Sequence, residues 1–174
     1  MKNKIITVIY IIALLLVLFT FQIFVINTRT LFGIKPNLIL ISVIVVSSWY
    51  GEKTGGIFSV LIGFITEFLF NSNGIFLVAY SIIGVLVGYL NKKYNMENKI
   101  SLIYVTIIAT FLFEVIEYIY YCVLYKVYSN IFYFFKQVAI SSLLNIVIVF
   151  VVYSIIYRIV EYFDSRLRKD LSGF

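Results

Sequence analysis

Histidine is absent from this 174-residue chain, and cysteine occurs once, at Cys122. The first absence removes the usual general base, the usual zinc ligand and the usual physiological pH switch. The second excludes an internal disulfide and a cysteine-based metal site, and Cys122, inside an apolar run, reads as a small core residue. Charge is scarce too: 13% of the residues are Asp, Glu, Lys or Arg, against about 25% in soluble domains. What fills the chain is apolar, 63% hydrophobic with 19% aromatic. A soluble fold of this length cannot hide that much apolar surface, so lipid or neighbouring helices must be the solvent for most side chains. The chain therefore reads as an integral membrane protein. Its formal net charge of +6 is not a nucleic-acid signal. The cations sit between apolar runs and at the two ends, where they set orientation and meet anionic lipid headgroups.

Six apolar runs predict one all-α transmembrane domain over residues 1–174. The first, 5–26, has no A-x-A cleavage site and exceeds a signal-peptide core of about 7 to 15 residues, so it reads as a retained helix. The others are 36–49, 55–70, 74–90, 100–125 and 137–160, followed by a short basic cytoplasmic tail. The second and third are short against the roughly 20 residues of a full crossing, which calls for local bilayer thinning or longer neighbours. Six crossings put both termini on one side. If that side is the cytoplasm, the inner cations are Lys2, Lys4, Lys53, those of the 92–99 loop and those of the tail from Arg158. Only Arg29, Lys35, Lys126 and Lys136 then lie outside, as the positive-inside rule prefers. A single broken span over 36–70 would give five crossings and an outside tail, against which the basic stretch 166–169 argues.

Gly55, Ser59, Gly63 and Glu67 recur every four residues in the third run, and Gly74, Ser81, Gly84 and Gly88 share a face of the fourth. Small residues at this spacing let helix backbones approach closely, so these helices are expected to pack on each other or on a common neighbour. A phosphate cradle fails as a competitor, because the glycines lie within spans and no Walker lysine follows. Glu114 and Glu117 are the deepest charges, three residues apart on the fifth helix. A carboxylate near mid-bilayer costs at least about 2.5 to 3.5 kcal/mol on insertion scales, so both should face the bundle or find a partner. Gln137, Ser141 and Asn145, four apart on the sixth helix, are candidates. At roughly 1.5 Å per residue from mid-span, Gln22, Glu67, Glu117, Ser141 and Asn145 reach a common height on the outer side of centre, with Glu114 beneath. This predicts an intramembrane polar cluster. Three readings stay open for it: separate interhelical hydrogen bonds, contact with a protein partner, and a small-molecule or ion site. No catalytic residue, metal ligand or cofactor is expected, since a carboxylate pair at Glu114 and Glu117 would need substrate at mid-bilayer and has no histidine to help.

Four stretches then carry a resemblance: Phe32-Gly33-Ile34-Lys35-Pro36-Asn37-Leu38, Tyr50-Gly51-Glu52-Lys53-x-Gly55-Gly56, Gly63-Phe64-Ile65-Thr66-Glu67-x3-Asn71-x-Asn73-Gly74, and Ile83-Gly84-x3-Gly88-Tyr89. Together they resemble the rod shape-determining protein MreD family, in order and spacing from about residue 1 to 125. Residues 126–174 share only a polar loop, a helix and a basic tail with it. The family usually has Asp where this chain has Glu67, which keeps the charge and lengthens the reach. The resemblance implies a six-helix fold similar to the substrate-binding subunits of energy-coupling-factor transporters. It also implies a non-enzymatic subunit of the elongasome in the bacterial cytoplasmic membrane. Its implied partners are MreC, then MreB, RodA and a class B penicillin-binding protein, together with membrane lipids. Pro36, Asn37, Gly55, Ser59, Gly63, Glu67, Gly74, Gly84 and Gly88 become candidates for helix packing or partner contact. The alternative is a substrate-capture subunit of an energy-coupling-factor type vitamin transporter, with the outer polar cluster as its pocket.

Overall fold

The computed structural model describes residues 17–22, 34–94, 99–126 and 130–172. Its regular structure comprises α1 Leu38–Phe70, α2 Ile75–Tyr94, α3 Lys99–Tyr125 and α4 Ile131–Ser172, preceded by a helical stretch at 17–21. The predicted first span over 5–26 lies outside the described residues apart from 17–22. Among the described residues, three helices are long and apolar enough to cross a membrane, Leu38–Phe70, Ile100–Tyr125 and Ile131–Ile155, and Ile75–Leu90 is a shorter apolar helix.

α1 is broken in its middle. Gly51 has φ 78° and ψ −173°, a region that essentially only glycine occupies. A Cβ added to Gly55 would lie 2.6 Å from the Cα of Ser47. Residues eight apart on one straight helix are separated by about 12 Å, so the chain folds back at Gly51 and α1 is two arms. The first arm starts at Asn37, whose Oδ1 accepts from the Leu40 backbone N–H at 2.9 Å, a side-chain cap for one of the orphan donors of a helix start. From Leu38 to Ser48 every residue is buried. The segment LILISVIVVSS is apolar nearly all round and so has no face for water. It forms the axis of the fold: Leu40, Ile41 and Ile44 share a core with Tyr80 and Ile83 of α2, Leu102 and Val105 of α3, and Val149 of α4.

The second arm runs antiparallel to α2. A Cβ at Gly88 would sit 2.5 Å from the Cα of Glu52, one at Gly63 would sit 2.9 Å from the Cα of Leu77, and Gly84 lies against the Ser59 side chain. The small-residue stripes of the two helices thus face each other, and Ser59 returns its own hydroxyl hydrogen to the Gly55 carbonyl. The turn between them uses left-handed backbone at Asn71 (φ 49°), Asn73 (φ 53°) and Gly74 (φ 95°); asparagine and glycine are the residues that visit this region routinely.

α4 differs from its sequence-predicted bounds. It starts at Ile131, where Asn130 Oδ1 accepts from the Phe132 N–H at 3.0 Å, and its helix continues through the basic tail to Ser172. No glycine or proline interrupts that stretch, so nothing local stops it. On its inner face Tyr153 packs against Trp49 with ring centroids 5.3 Å apart. Cys122 on α3 is half-buried rather than part of the core. Phe64 and Phe68 on the second arm and Val147 and Val151 on α4 are exposed, as apolar side chains facing lipid would be.

Candidate functional site

The start of the axial arm gathers the polar groups. Asn37 donates its backbone N–H to Asn145 Oδ1 at 3.1 Å, and Asn145 Nδ2 donates to Thr110 Oγ1 at 3.1 Å. The Leu38 N–H donates to Gln22 Oε1 at 2.8 Å. The side-chain amide of Asn37 pairs with the Tyr80 hydroxyl, Nδ2 donating at 3.1 Å and the hydroxyl donating back to Oδ1 at 3.2 Å. One helix start is therefore tied to residue 22, α2, α3 and α4 at once. The physical cause is general: the first N–H groups of a helix have no intrahelical acceptor, and in an apolar surrounding each must find one. Gln22 and Asn145, predicted as members of a polar cluster, supply two of those acceptors.

Glu67 serves the other helix start. Its Oε1 accepts from the Gly74 N–H at 2.7 Å and its Oε2 from the Phe76 N–H at 3.1 Å. A carboxylate at this end of α2 satisfies two orphan donors and lies at the favourable pole of the helix dipole. The Asn71 N–H closes onto the Glu67 carbonyl at 2.8 Å, and the Tyr120 hydroxyl donates to the Ser72 carbonyl at 2.7 Å, which ties the turn to α3.

Beside the Asn37 hub lies a cavity of about 580 Å³. Gln22, Pro36, Asn37, Glu114, Glu117 and Ser141 are among its lining residues. Gln137, also on the wall, donates its Nε2 hydrogen to Glu114 Oε2 at 2.7 Å. The apolar side is a stack of rings, Phe76 on Tyr80 with centroids 5.9 Å apart and Tyr80 on Phe113 at 5.5 Å, both nearly parallel. A smaller cavity of about 210 Å³ shares Glu114, Glu117 and Gln137 and is lined further by Tyr118, Tyr121 and Tyr133.

Of the predicted cluster, then, Gln22, Glu114, Glu117 and Ser141 meet around one cavity, and Asn145 lies one hydrogen bond behind it at Asn37. Glu67 does not line it. Counting heights along spans yields depth but not azimuth, and the Glu67 carboxylate turns toward the 71–74 turn and the start of α2. Among the predicted packing residues, Gly55, Gly63, Gly84 and Gly88 lie in close contacts within the chain. Sequence reasoning missed Tyr80 and Thr110. A tyrosine four residues from Gly84 and Gly88's small-residue face, and a threonine one turn before Glu114, were the available signals.

These observations define a class: an all-helical membrane protein wound around a buried arm, with a polar cavity at the end of that arm. Residues 2–159 match the family of rod shape-determining protein MreD. The chain belongs to that family, and membership sets it among membrane proteins of rod-shape determination. Neither a curated protein nor a solved structure matches it.

Proposed function

We propose that this chain is a non-enzymatic, multi-pass subunit of the elongasome in the bacterial cytoplasmic membrane, binding MreC and supporting rod shape and peripheral peptidoglycan synthesis. The observation that carries the reading is the family match over residues 2–159. In this reading the chain crosses the membrane six times, with the two arms of α1 as separate crossings and both termini in the cytoplasm. MreB, RodA and a class B penicillin-binding protein act alongside it. Because the glycine faces of α1 and α2 are used on each other, MreC docks on an outward face, where Phe64 and Phe68 of the second arm and Val78 and Ile82 of α2 are exposed.

Single cysteines at those four positions, in a Cys122→Ser background, test this by crosslinking to MreC in membranes. Crosslinks confined to one face and co-purification of MreC are the expected result. Neither crosslink nor co-purification, from a variant that still supports rod shape, would overturn the proposal. The cavity of about 580 Å³ favours one other reading, a substrate-capture subunit of an energy-coupling-factor type vitamin transporter. Co-purification with transporter ATPases in place of MreC would establish that one instead.

A further inference from the structure

We propose that the cavity beside the Asn37 hub, whose polar wall includes Glu114, Glu117, Gln137 and Ser141, binds a small organic cation, an ammonium or guanidinium group on an apolar or aromatic body. The proposal is separate from complex formation and goes beyond it.

The lining of the cavity points to this ligand class. Glu117 makes no hydrogen bond among the described residues, whereas its neighbour Glu114 receives one, from Gln137. Two carboxyls one helical turn apart repel when both are charged, and a bound cation removes that repulsion. Ser141, 2% exposed, lines the same cavity with its hydroxyl beside the Glu114 carboxylate. Lys35 also lines the cavity and makes an interaction of its own.

The shape of the cavity selects among cations. Its volume of about 580 Å³ falls in the range of small-molecule sites, roughly 300 to 1,000 Å³, far more than a bare ion fills. No three His, Cys, Asp or Glu residues are grouped for a metal among the described residues, and hard divalent cations take about six to eight oxygen ligands. The mutually stacked rings of Phe76, Tyr80 and Phe113 also line it. Aromatic rings and carboxylates lining one cavity are the chemistry by which proteins hold organic ammonium and guanidinium groups. Donors from the ligand would reach Glu117 and Ser141, and its apolar body would lie along the rings.

The test uses the full chain in lipid nanodiscs and three probes of matched shape: 2-phenylethylamine, neutral 2-phenylethanol and anionic 3-phenylpropanoate. Titration calorimetry should show saturable binding of the amine, with the alcohol and the acid at least about tenfold weaker, the factor that one lost charge contact contributes. Glu117→Gln should weaken the amine by a similar factor and leave the alcohol unchanged, while Glu117→Asp retains amine binding within a few fold. Equal binding of amine and alcohol, no saturable amine binding, or amine binding indifferent to Glu117→Gln would each overturn the proposal. If Glu117→Gln does not fold, as judged by Trp49 fluorescence, the three-probe comparison on the unmodified chain still decides. MreC is absent from the measurement, so its outcome stands apart from the crosslinking result.

Discussion

Replacing Glu67 by alanine removes both acceptors from the start of α2, the Oε1 bond to Gly74 N–H at 2.7 Å and the Oε2 bond to Phe76 N–H at 3.1 Å. Hydrogen bonds to a charged group contribute about 1.5 to 3 kcal/mol each when buried. Glu67 is only half-buried, so water or headgroups can replace part of what is lost, and the Tyr120 hydroxyl still holds the turn through Ser72. The expected loss is therefore about 1 to 3 kcal/mol, comparable to removing a good helix cap. Glu67→Gln keeps one acceptor oxygen but turns an amide N–H toward the other donor, so it should lose about half as much. The chain's single tryptophan, Trp49, is a suitable reporter. It packs on Tyr153 and Tyr157 at 5.3 and 6.2 Å, two residues before the Gly51 fold-back and at the opposite end of the arm from the 71–74 turn. Equilibrium unfolding in mixed micelles, followed by its fluorescence, thus reads global stability rather than a local change at position 67. A Glu67→Ala midpoint equal to that of the unmodified chain, or a Gln variant as damaged as the Ala variant, would refute the assignment of Glu67 as the α2 cap.

Four further outcomes can be measured the same way. Gly88→Leu should destabilise by about 1 to 3 kcal/mol or abolish expression, because even its Cβ would stand 2.5 Å from the Glu52 Cα and overpacking against backbone has no flexible neighbour to yield. Gly51→Ala meets no atom within 4 Å, so its cost should be purely conformational, about 1 to 3 kcal/mol for a side chain at φ 78° and ψ −173°. Asn145→Leu leaves the Asn37 N–H without its acceptor and should cost about 1 to 3 kcal/mol, with Thr110→Val adding less in combination than alone because the two share a bond. Cys122→Ser, at a half-buried position on α3, should stay within about 0.5 kcal/mol, which makes it a usable background for single-cysteine crosslinking.

Much of this was legible in the residues because membrane physics leaves few choices. With 63% hydrophobic residues and 13% charged ones, backbone groups in lipid must be satisfied within helices or a closed barrel, and apolar runs longer than the roughly 9 to 11 residues of a barrel strand select helices. The stripes Gly55, Ser59, Gly63 and Gly84, Gly88 could serve only close helix approach, since a face of hydrogen and hydroxyl has no other use at that spacing. The Pro36-Asn37 lead-in marks a helix start, and the family pattern is contained in the motifs themselves.

Tertiary structure alone decided how the polar groups divide. Gln22, Glu67, Glu117, Ser141 and Asn145 were visible as a set at similar depth with Glu114 beneath, yet depth is a property of one helix and direction is a property of the packed bundle. Only packing turns Glu67 onto the α2 start and Asn145 onto Asn37, leaving Glu114, Glu117 and Ser141 around a cavity. The same holds for the fold-back at Gly51: glycine permits φ 78°, but the approach of Gly55 to Ser47 is what makes one apolar stretch into two arms. The chain's sequence determined which residues could not face lipid, because their desolvation cost depends on chemistry alone. Which of them would face each other depended on the azimuth of each helix around the buried arm, and no linear pattern carries that.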